Sequence, residues 1–578
     1  MARNVAEQIV TILEDAGIKR IYAVTGDSLN HLNIAVKKSK KIEWIHVRHE
    51  EVGAYAATAE AELNGIAVCA GSSGPGHVHL INGLYDAHRL HLPVLAIAST
   101  IPTISIGRSY FQETNTIKLF DDCSHYNEMI TRAEQVDKVV HTALQHAISK
   151  KGVSVIGIPG DVFEMDEIEG APTRKIFRTE SILRPSDDEL KRLASLLNST
   201  SKMTVFCGIG ASHANQEVVA LANKRKAPVG YSFRGKMGIQ PNNPYEIGMT
   251  GLLGQAAAYH AMHDAEVLLL LGTDFPYDNF IPESNKIVQV DEKAEFLGRR
   301  ASLTLGLCGD VQHTLQALLP LLDEHHDRTF LDEQLEIYEK VKTRNLSYVE
   351  DMGKEDAIHP EFVAHLLDKF AADDAIFTLD TGMTCVWGAR FITGTGSRKM
   401  LGSFNHGSMA NAMPMAIGAS LAQAGRQVIA LCGDGGISML LGDLATIKQY
   451  NLPIKIIVFN NRSLGMVKLE MEVAGMPDNE TDMVNPDFAL VAHAMGFTGE
   501  NVHNPEEVSD AIQEAIASDG PYLLNIFTDP NALAMPPKVE MGYVLGMAKT
   551  MSKLMLGGKA GEVIDTVKSN YKHIKDLF

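Results

Sequence analysis

Cys432-Gly433-Asp434-Gly435-Gly436, read together with Asn460-Asn461 further along, decides how this chain folds. The β-rich run Gln427–Cys432 leads into the first cluster, the helix-like segment Met439–Tyr450 follows it, and Ile454–Phe459 leads into the asparagines. A strand, a crossover helix and a parallel strand bring both polar clusters to the carboxyl ends of neighbouring strands, the edge at which open α/β sheets bind ligands. Asp434 offers a hard carboxylate oxygen and Asn461 a neutral carbonyl, a donor pair suited to Mg²⁺ sharing its shell with diphosphate oxygens. Gly435 and Gly436 let backbone N–H groups approach the same oxygens. Gly-Asp-Gly alone is an ordinary strand-end turn; the asparagine pair one βαβ unit away gives it chemical meaning.

The same alternation extends outward. Ala375–Leu379 and Tyr522–Phe527 complete a third set of strands, Met203–Cys207, Val267–Leu271 and Lys286–Val290 a second, and Arg20–Val24, Ile66–Ala70, Pro93–Ala98 and Val153–Ile158 a first. Helix-like stretches such as the alanine-rich Glu51–Leu63 separate them. Polar Glu164–Asp188, with Pro172 and Pro185, and charged Asp323–Glu355 read as connectors. The expected fold is α/β, with three doubly wound parallel-sheet domains in series over 1–182, 183–335 and 336–531, and a C-terminal helical tail over 532–578. No fixed-period repeat is present, although the first and third sets are similar in length.

With 578 residues, 45% hydrophobic and 21% charged, the chain can bury several cores. A net charge of −19, without a basic run interleaved with aromatics, excludes nucleic acid as an expected partner. Six scattered cysteines without a CxxC pair, and no secretory leader, point to a reducing cytoplasm. No run approaches the ~20 apolar residues of a membrane-spanning helix, so a membrane contact would be peripheral. In the tail, Val563, Ile564, Val567, Tyr571, Ile574 and Phe578 recur at spacings of three and four, one apolar helical face suited either to a lipid surface or to docking on the protein itself. Met541–Leu556 reads as packed core.

Two further constellations carry chemistry. In Arg48-His49-Glu50-Glu51 two acids open a helix, and consecutive helical positions diverge by about 100°, so only one can face a given ligand. In the second set, Gly251-Leu252-Leu253-Gly254, Asp274-Phe275-Pro276-Tyr277 and Asp291 after a strand suit a dinucleotide, with glycines near a pyrophosphate and an acid on ribose hydroxyls. Gly208-Ile209-Gly210-Ala211 is a weaker glycine turn of the same kind.

Taken together, these patterns resemble the thiamine-diphosphate family of pyruvate oxidases, acetolactate synthases and pyruvate decarboxylases. The resemblance covers nearly the whole chain. It is closest to the quinone-linked pyruvate oxidases through Val24-Thr25-Gly26-Asp27-Ser28-Leu29-Asn30, Arg48–Glu51, Tyr110-Phe111-Gln112-Glu113-Thr114, Arg234-Gly235-Lys236 and Leu401–Pro414. It implies pyrimidine-binding, FAD-binding and diphosphate-binding domains, with thiamine diphosphate, Mg²⁺ and FAD as cofactors. By resemblance Asp434, Asn461 and the Ser463 carbonyl would hold the metal. Gly407, Ser408, Met409, Gly435, Gly436, Leu464, Gly465 and Met466 would hold thiamine diphosphate, Met409 propping its bent shape, and Glu50 would engage the aminopyrimidine. Phe111, Gln112, Met466 and Glu470 would serve the substrate, Met466 standing in the loop where those oxidases carry Phe.

The implied reaction is oxidative decarboxylation of pyruvate to acetate and CO₂, with electrons passing to FAD and then to membrane quinone. The implied state is a homotetramer, cytoplasmic and held peripherally at the inner face of the membrane through the tail. A carboligase of the acetolactate synthase type and a phosphate- and O₂-dependent oxidase making acetyl phosphate are the alternatives. The latter usually carry Gly-Gly-Ser where this chain has Gly26-Asp27-Ser28, and the added carboxylate should repel phosphate.

Overall fold

Val94–Thr100, Val153–Pro159 and Val267–Leu271 are buried at every position and show no polar alternation, as strands covered on both faces must be. In the computed structural model, which describes residues 3–168, 174–179, 181–350, 357–532, 547, 549–553 and 560–570, they are interior strands of two of its three sheets. The first sheet contains β1 (Arg20–Ala23), β2 (Glu43–His46), β3 (Ala67–Gly71), β4 (Val94–Thr100), β5 (Tyr126–Met129) and β6 (Val153–Pro159). The second contains β7 (Met203–Cys207), β8 (Val229–Tyr231), β9 (Glu246–Met249), β10 (Val267–Leu271), β11 (Lys286–Asp291) and β12 (Leu305–Cys308). The third contains β13 (Ile376–Leu379), β14 (Lys399–Gly402), β15 (Val428–Gly433), β16 (Lys455–Asn460), β17 (Thr498–Val502) and β18 (Tyr522–Phe527).

The orders are β2-β1-β3-β4-β6-β5, β12-β11-β10-β7-β8-β9 and β14-β13-β15-β16-β18-β17, with parallel pairing throughout. The first and third sheets therefore share one winding, and the middle one has the 3-2-1-4-5-6 order of dinucleotide-binding sheets. The expected architecture of three doubly wound parallel sheets is what the chain adopts. All six edge strands and the three-residue β8 escape the sequence pattern, because half-exposed runs such as Tyr126–Met129 carry no continuous apolar signal.

The helices used below are α1 (Glu50–Asn64), α2 (Ile81–Leu90), α3 (Ala412–Ala422), α4 (Asp434–Met439), α5 (Gly465–Val473) and α6 (Ala560–Ser569). Alanines along α1 let α3 come close: a Cβ on Gly418 would stand 2.1 Å from the Ala56 carbonyl oxygen. Around this contact one hydrophobic core runs from Tyr55, Leu80 and Leu84 of the first unit to Ile417, Ile437 and Ile456 of the third. Polar bonds close the seam, with Arg48 N–H donating to Asp443 Oδ1 (2.8 Å) and His46 N–H to the Tyr450 hydroxyl (2.7 Å).

The expected crossover helix Met439–Tyr450 is broken. α4 begins at Asp434 itself, a 3₁₀ turn spans Leu441–Asp443, and a new helix starts at Leu444, because the Asp443 carboxylate is drawn to Arg48 N–H and Thr446. In the tail, α6 docks on the protein: Val563 is buried, and Asn570 Nδ2 donates to the Asn531 carbonyl at 2.7 Å. Ile564 remains half exposed. Thr550 and Lys553 bond carbonyls of Glu472 and Gly475 at the end of α5, so that part of Met541–Leu556 packs inward. Tyr571, Ile574 and Phe578, and the side chain of Val567, lie outside the described residues. Among the described residues no helix is long and apolar enough to cross a membrane.

Candidate active site

Asp434 is the first residue of α4, reached directly from β15, and is almost wholly buried; burial raises its carboxyl above the usual range. Oδ1 accepts the Gly435 N–H (2.9 Å) and Oδ2 accepts Asn485 Nδ2 (2.7 Å). The same Nδ2 donates to Asn460 Oδ1 at 3.0 Å, tying the ends of β15 and β16 together. After Asn461 the chain turns through a left-handed Arg462 (φ 54°), and Asn461 Oδ1 accepts Ser463 N–H at 3.0 Å. This loop pairs with a second one through Leu464 N–H to Thr481 O and Met483 N–H to Arg462 O, both 2.8 Å, which delivers Asn485 to Asp434.

Glycine is required here by close approach. A Cβ on Gly436 would fall 1.7 Å from Asp380 Oδ2, and one on Gly435 would meet Leu464 at 2.9 Å and Met409 at 3.2 Å. The structure thus gathers Gly435, Leu464 and Met409 at one point, with Gly465 against Asn461 Nδ2. Gly407 takes a left-handed φ of 77°, and Ser408 N–H donates to Ser403 Oγ. Asp380, at the end of β13, is fully buried, and desolvation lifts its carboxyl to about 7 despite backbone N–H groups directed at it. β13 and β15 flank the sheet's switch point, where a ligand crevice belongs.

Asn485 Oδ1 and Ser463 Oγ are buried and lack a protein partner. A buried carboxylate, an amide carbonyl, a turn carbonyl and orphaned oxygens form a hard-oxygen set that fits Mg²⁺ and a diphosphate. Met466 leans on the third unit's core, while Glu470 is exposed one turn further along α5.

At the first sheet, His49 caps α1, its Nδ1 accepting Glu51 N–H at 3.2 Å. The two acids diverge as helical geometry demands. Glu51 Oε1 accepts Asn82 Nδ2 (2.8 Å), which also donates to Ser408 Oγ (3.0 Å) in this chain's own third unit. Glu50 is buried and its Oε2 lies 2.9 Å from His79 Nδ1, while a Cβ on Gly76 would come within 3.2 Å of Oε1. Gln112 is left-handed (φ 65°), bonded through Oε1 to Ser73 Oγ (2.8 Å) and pressed against Gly74, in the same glycine turn as Gly76. Phe111 beside it is 79% exposed. Ser28 Oγ accepts Ser73 N–H (2.9 Å), and Ser28 N–H is already held by Asp27 Oδ1 (2.7 Å).

In the middle sheet a Cβ on Gly208 would stand 2.3 Å from the Gly272 carbonyl oxygen, so the turns after β7 and β10 touch at the switch point. Gly251 (φ 93°) packs on Phe275 and Tyr277, which flank Pro276. Leu252 is half exposed, and Arg390 of the third unit donates to the carbonyls of Leu253 (3.2 Å) and Gly254 (3.0 Å). Asp274 is taken by Arg299 (3.0 Å) and Arg300 (3.2 Å). Asp291 is the last residue of β11 rather than the one after it; burial pushes its carboxyl to about 6.

Sequence reasoning missed His79, Asn82, Asp380 and Asn485. Asp380-Thr381-Gly382 repeats the acid-after-strand signal of Asp434 and was readable; His79 ends the short helix Pro75–His79 that follows β3; Asn485 lies in a loop with no local signal.

Three descriptions of the thiamine pyrophosphate enzymes match in series: the N-terminal TPP binding domain at residues 3–119, the central domain at 190–318 and the C-terminal TPP binding domain at 380–526. A Bacillus subtilis protein whose name describes it as thiamine pyrophosphate-containing is 34% identical over 582 residues, spanning 100% of both chains. The pyruvate oxidase of Lactiplantibacillus plantarum is 30% identical over 531 residues (89% of this chain, 87% of that one). A probable acetolactate synthase large subunit of Methanocaldococcus jannaschii is 31% identical over 560 residues (92% and 93%). With a buried hard-oxygen set on the third sheet, a buried glutamate on the first and likeness along its whole length, the chain belongs to the thiamine pyrophosphate enzymes.

Proposed function

We propose that this enzyme oxidatively decarboxylates pyruvate to acetate and CO₂, passing two electrons to FAD and then to membrane quinone. Asp434, Asn461 and the Ser463 carbonyl would hold Mg²⁺, with Gly435 and Gly436 against the diphosphate. Thiamine diphosphate, when bound, supplies the nucleophilic carbon and the electron sink for decarboxylation. Glu50 would give and take a proton at its carboxyl beside the aminopyrimidine, and Gln112 and Phe111 border the space that pyruvate enters. FAD would lie along the crevice of the middle sheet, and the burial of Asp291 supports this, since a desolvated carboxyl there gains from ribose hydroxyls.

The observation that carries acetate over its alternatives is Asp27. Its carboxylate occupies the Ser28 amide, and Ser28 leads through Ser73 to Gln112. A fixed negative charge on that path disfavours an anionic acceptor, whether phosphate or a second keto acid, and leaves water.

Glu51 is bound through Asn82 to this chain's own third unit, so Glu50, about 100° around the helix, is free to serve a different one. Exposed Ile104 (82%), Tyr110 (52%) and Phe111 (79%), in the segment that carries Gln112, support a second copy completing the site, in a homotetramer. The C-terminal tail, 532–578, would bring the enzyme to the inner membrane face.

A carboligase reading is favoured by the likeness to acetolactate synthases. Anaerobic pyruvate added to protein loaded with thiamine diphosphate, Mg²⁺ and FAD separates the two. Loss of the oxidised flavin absorbance supports the oxidase; CO₂ release and condensation product with flavin still oxidised supports the carboligase.

A further inference from the structure

Glu50 is not buried alone. Its Oε2 stands 2.9 Å from Nδ1 of His79, whose side chain is 44% exposed, so the imidazole has one nitrogen on the buried carboxylate while part of the ring meets solvent. The His49 ring stacks on the His79 ring, centroids 4.4 Å apart and planes 22° from parallel. His49 Nδ1 already accepts the Glu51 N–H, so a proton added there would sacrifice the helix cap. Of the two stacked rings, His79 is the one bonded to the Glu50 carboxylate, so it is the one placed to pass a proton to it.

His49, Glu50 and His79 lie close enough to suggest a metal site. Neutral His49 with Nδ1 accepting keeps its proton on Nε2, which leaves no lone pair there for an ion. The remaining titratable neighbours are otherwise engaged: Glu51 is bonded to Asn82, and His77 is turned to the Ser99 carbonyl and the Thr114 hydroxyl.

We infer that His79 is a positioning residue that relays protons between solvent and Glu50. This rests on the reading of Glu50 as the carboxyl that serves the aminopyrimidine. In the resting state Nδ1–H donates to the carboxylate and Nε2 is unprotonated. Solvent adds a proton at Nε2, the Nδ1 proton crosses to Oε2, and the carboxyl is loaded; the reverse order unloads it. One proton enters as one moves on, no ring flip is needed, and no other bond changes.

His79→Asn tests the relay, because the amide Nδ2 can keep the hydrogen bond to Glu50 but cannot pass a proton. The readouts are thiamine diphosphate affinity, followed by intrinsic fluorescence, and exchange of the bound cofactor's acidic carbon proton with D₂O, followed by NMR after acid quench. Expected are affinity within about twofold of wild type and exchange slowed at least about tenfold, the low end of what a positioned proton-transfer group contributes. Added free imidazole should restore much of that loss. Unchanged exchange, or slowed exchange that imidazole does not restore, overturns the relay. Glu50→Gln is the control: if it exchanges at the wild-type rate, the assignment of Glu50 itself fails, whatever His79→Asn does.

Discussion

Glu50 and Glu51 show how much one residue of offset decides. Both open α1, yet one carboxylate is spent on Asn82 and the other is buried against His79. Glu50→Gln keeps the shape and removes the exchangeable charge. CO₂ release from pyruvate should fall by about 10²-fold or more with the circular dichroism spectrum unchanged; turnover near wild type would refute the role. Asp27 is the second decisive residue. Asp27→Gly frees the Ser28 amide and removes a charge, so phosphate should begin to accelerate product formation and acetyl phosphate should appear in a hydroxamate assay. Acetate as sole product at every phosphate concentration would show that Asp27 does not choose the acceptor. Asp434, Asn461 and Gly435 were legible because their signal is local, a short run at a strand end, whereas Met409 entered only through the family resemblance. Asn485 was not, because it reaches Asp434 only through the pairing of two loops.

At the scale of elements, α1 is positioned by α3. Gly418 removes the side chain that would strike the Ala56 carbonyl, and the alanines of α1 complete the fit. Gly418→Ala should therefore cost about 1–3 kcal/mol by overpacking, read as a lower urea midpoint. It should also slow turnover, since a displaced α1 carries Glu50 with it. A midpoint equal to wild type would mean that the helices separate without penalty. This contact lay beyond sequence reading: Ala-Ile-Gly-Ala-Ser reads as an unremarkable apolar helix, and only the approach of another backbone makes its glycine necessary. The edge strands were missed for the converse reason, being held by neighbours rather than by their own pattern.

Across the whole molecule, the units are joined by part-buried groups that resist ionisation. His88 and His91, beside His125 and Phe296 where the first unit meets the second, have their imidazoles lowered to about 4 and about 3 by burial. An unfolded histidine takes up a proton near 6.5; the folded one does so only far below. Stability should hold above about pH 7 and decline as pH falls from about 6.5 towards 4, the unfolded state binding the extra protons. Thermal denaturation of His91→Phe and wild type at pH 7.5 and 5 checks this: the variant should lose less melting temperature between the two. Equal losses would exclude His91 as a source of acid sensitivity.

The first and third sheets are wound in one and the same order, yet their equivalent edges bear unlike equipment. Where the third ends β15 with an acid that can grip a cation, the first ends β3 with a serine- and glycine-lined bend leading to an imidazole. On the proposed reading, one template is fitted out twice, as an anchor and as a proton gate. A fault in either trade therefore leaves the other's workshop standing, and two differently crippled chains mixed in one assembly could still furnish a complete centre.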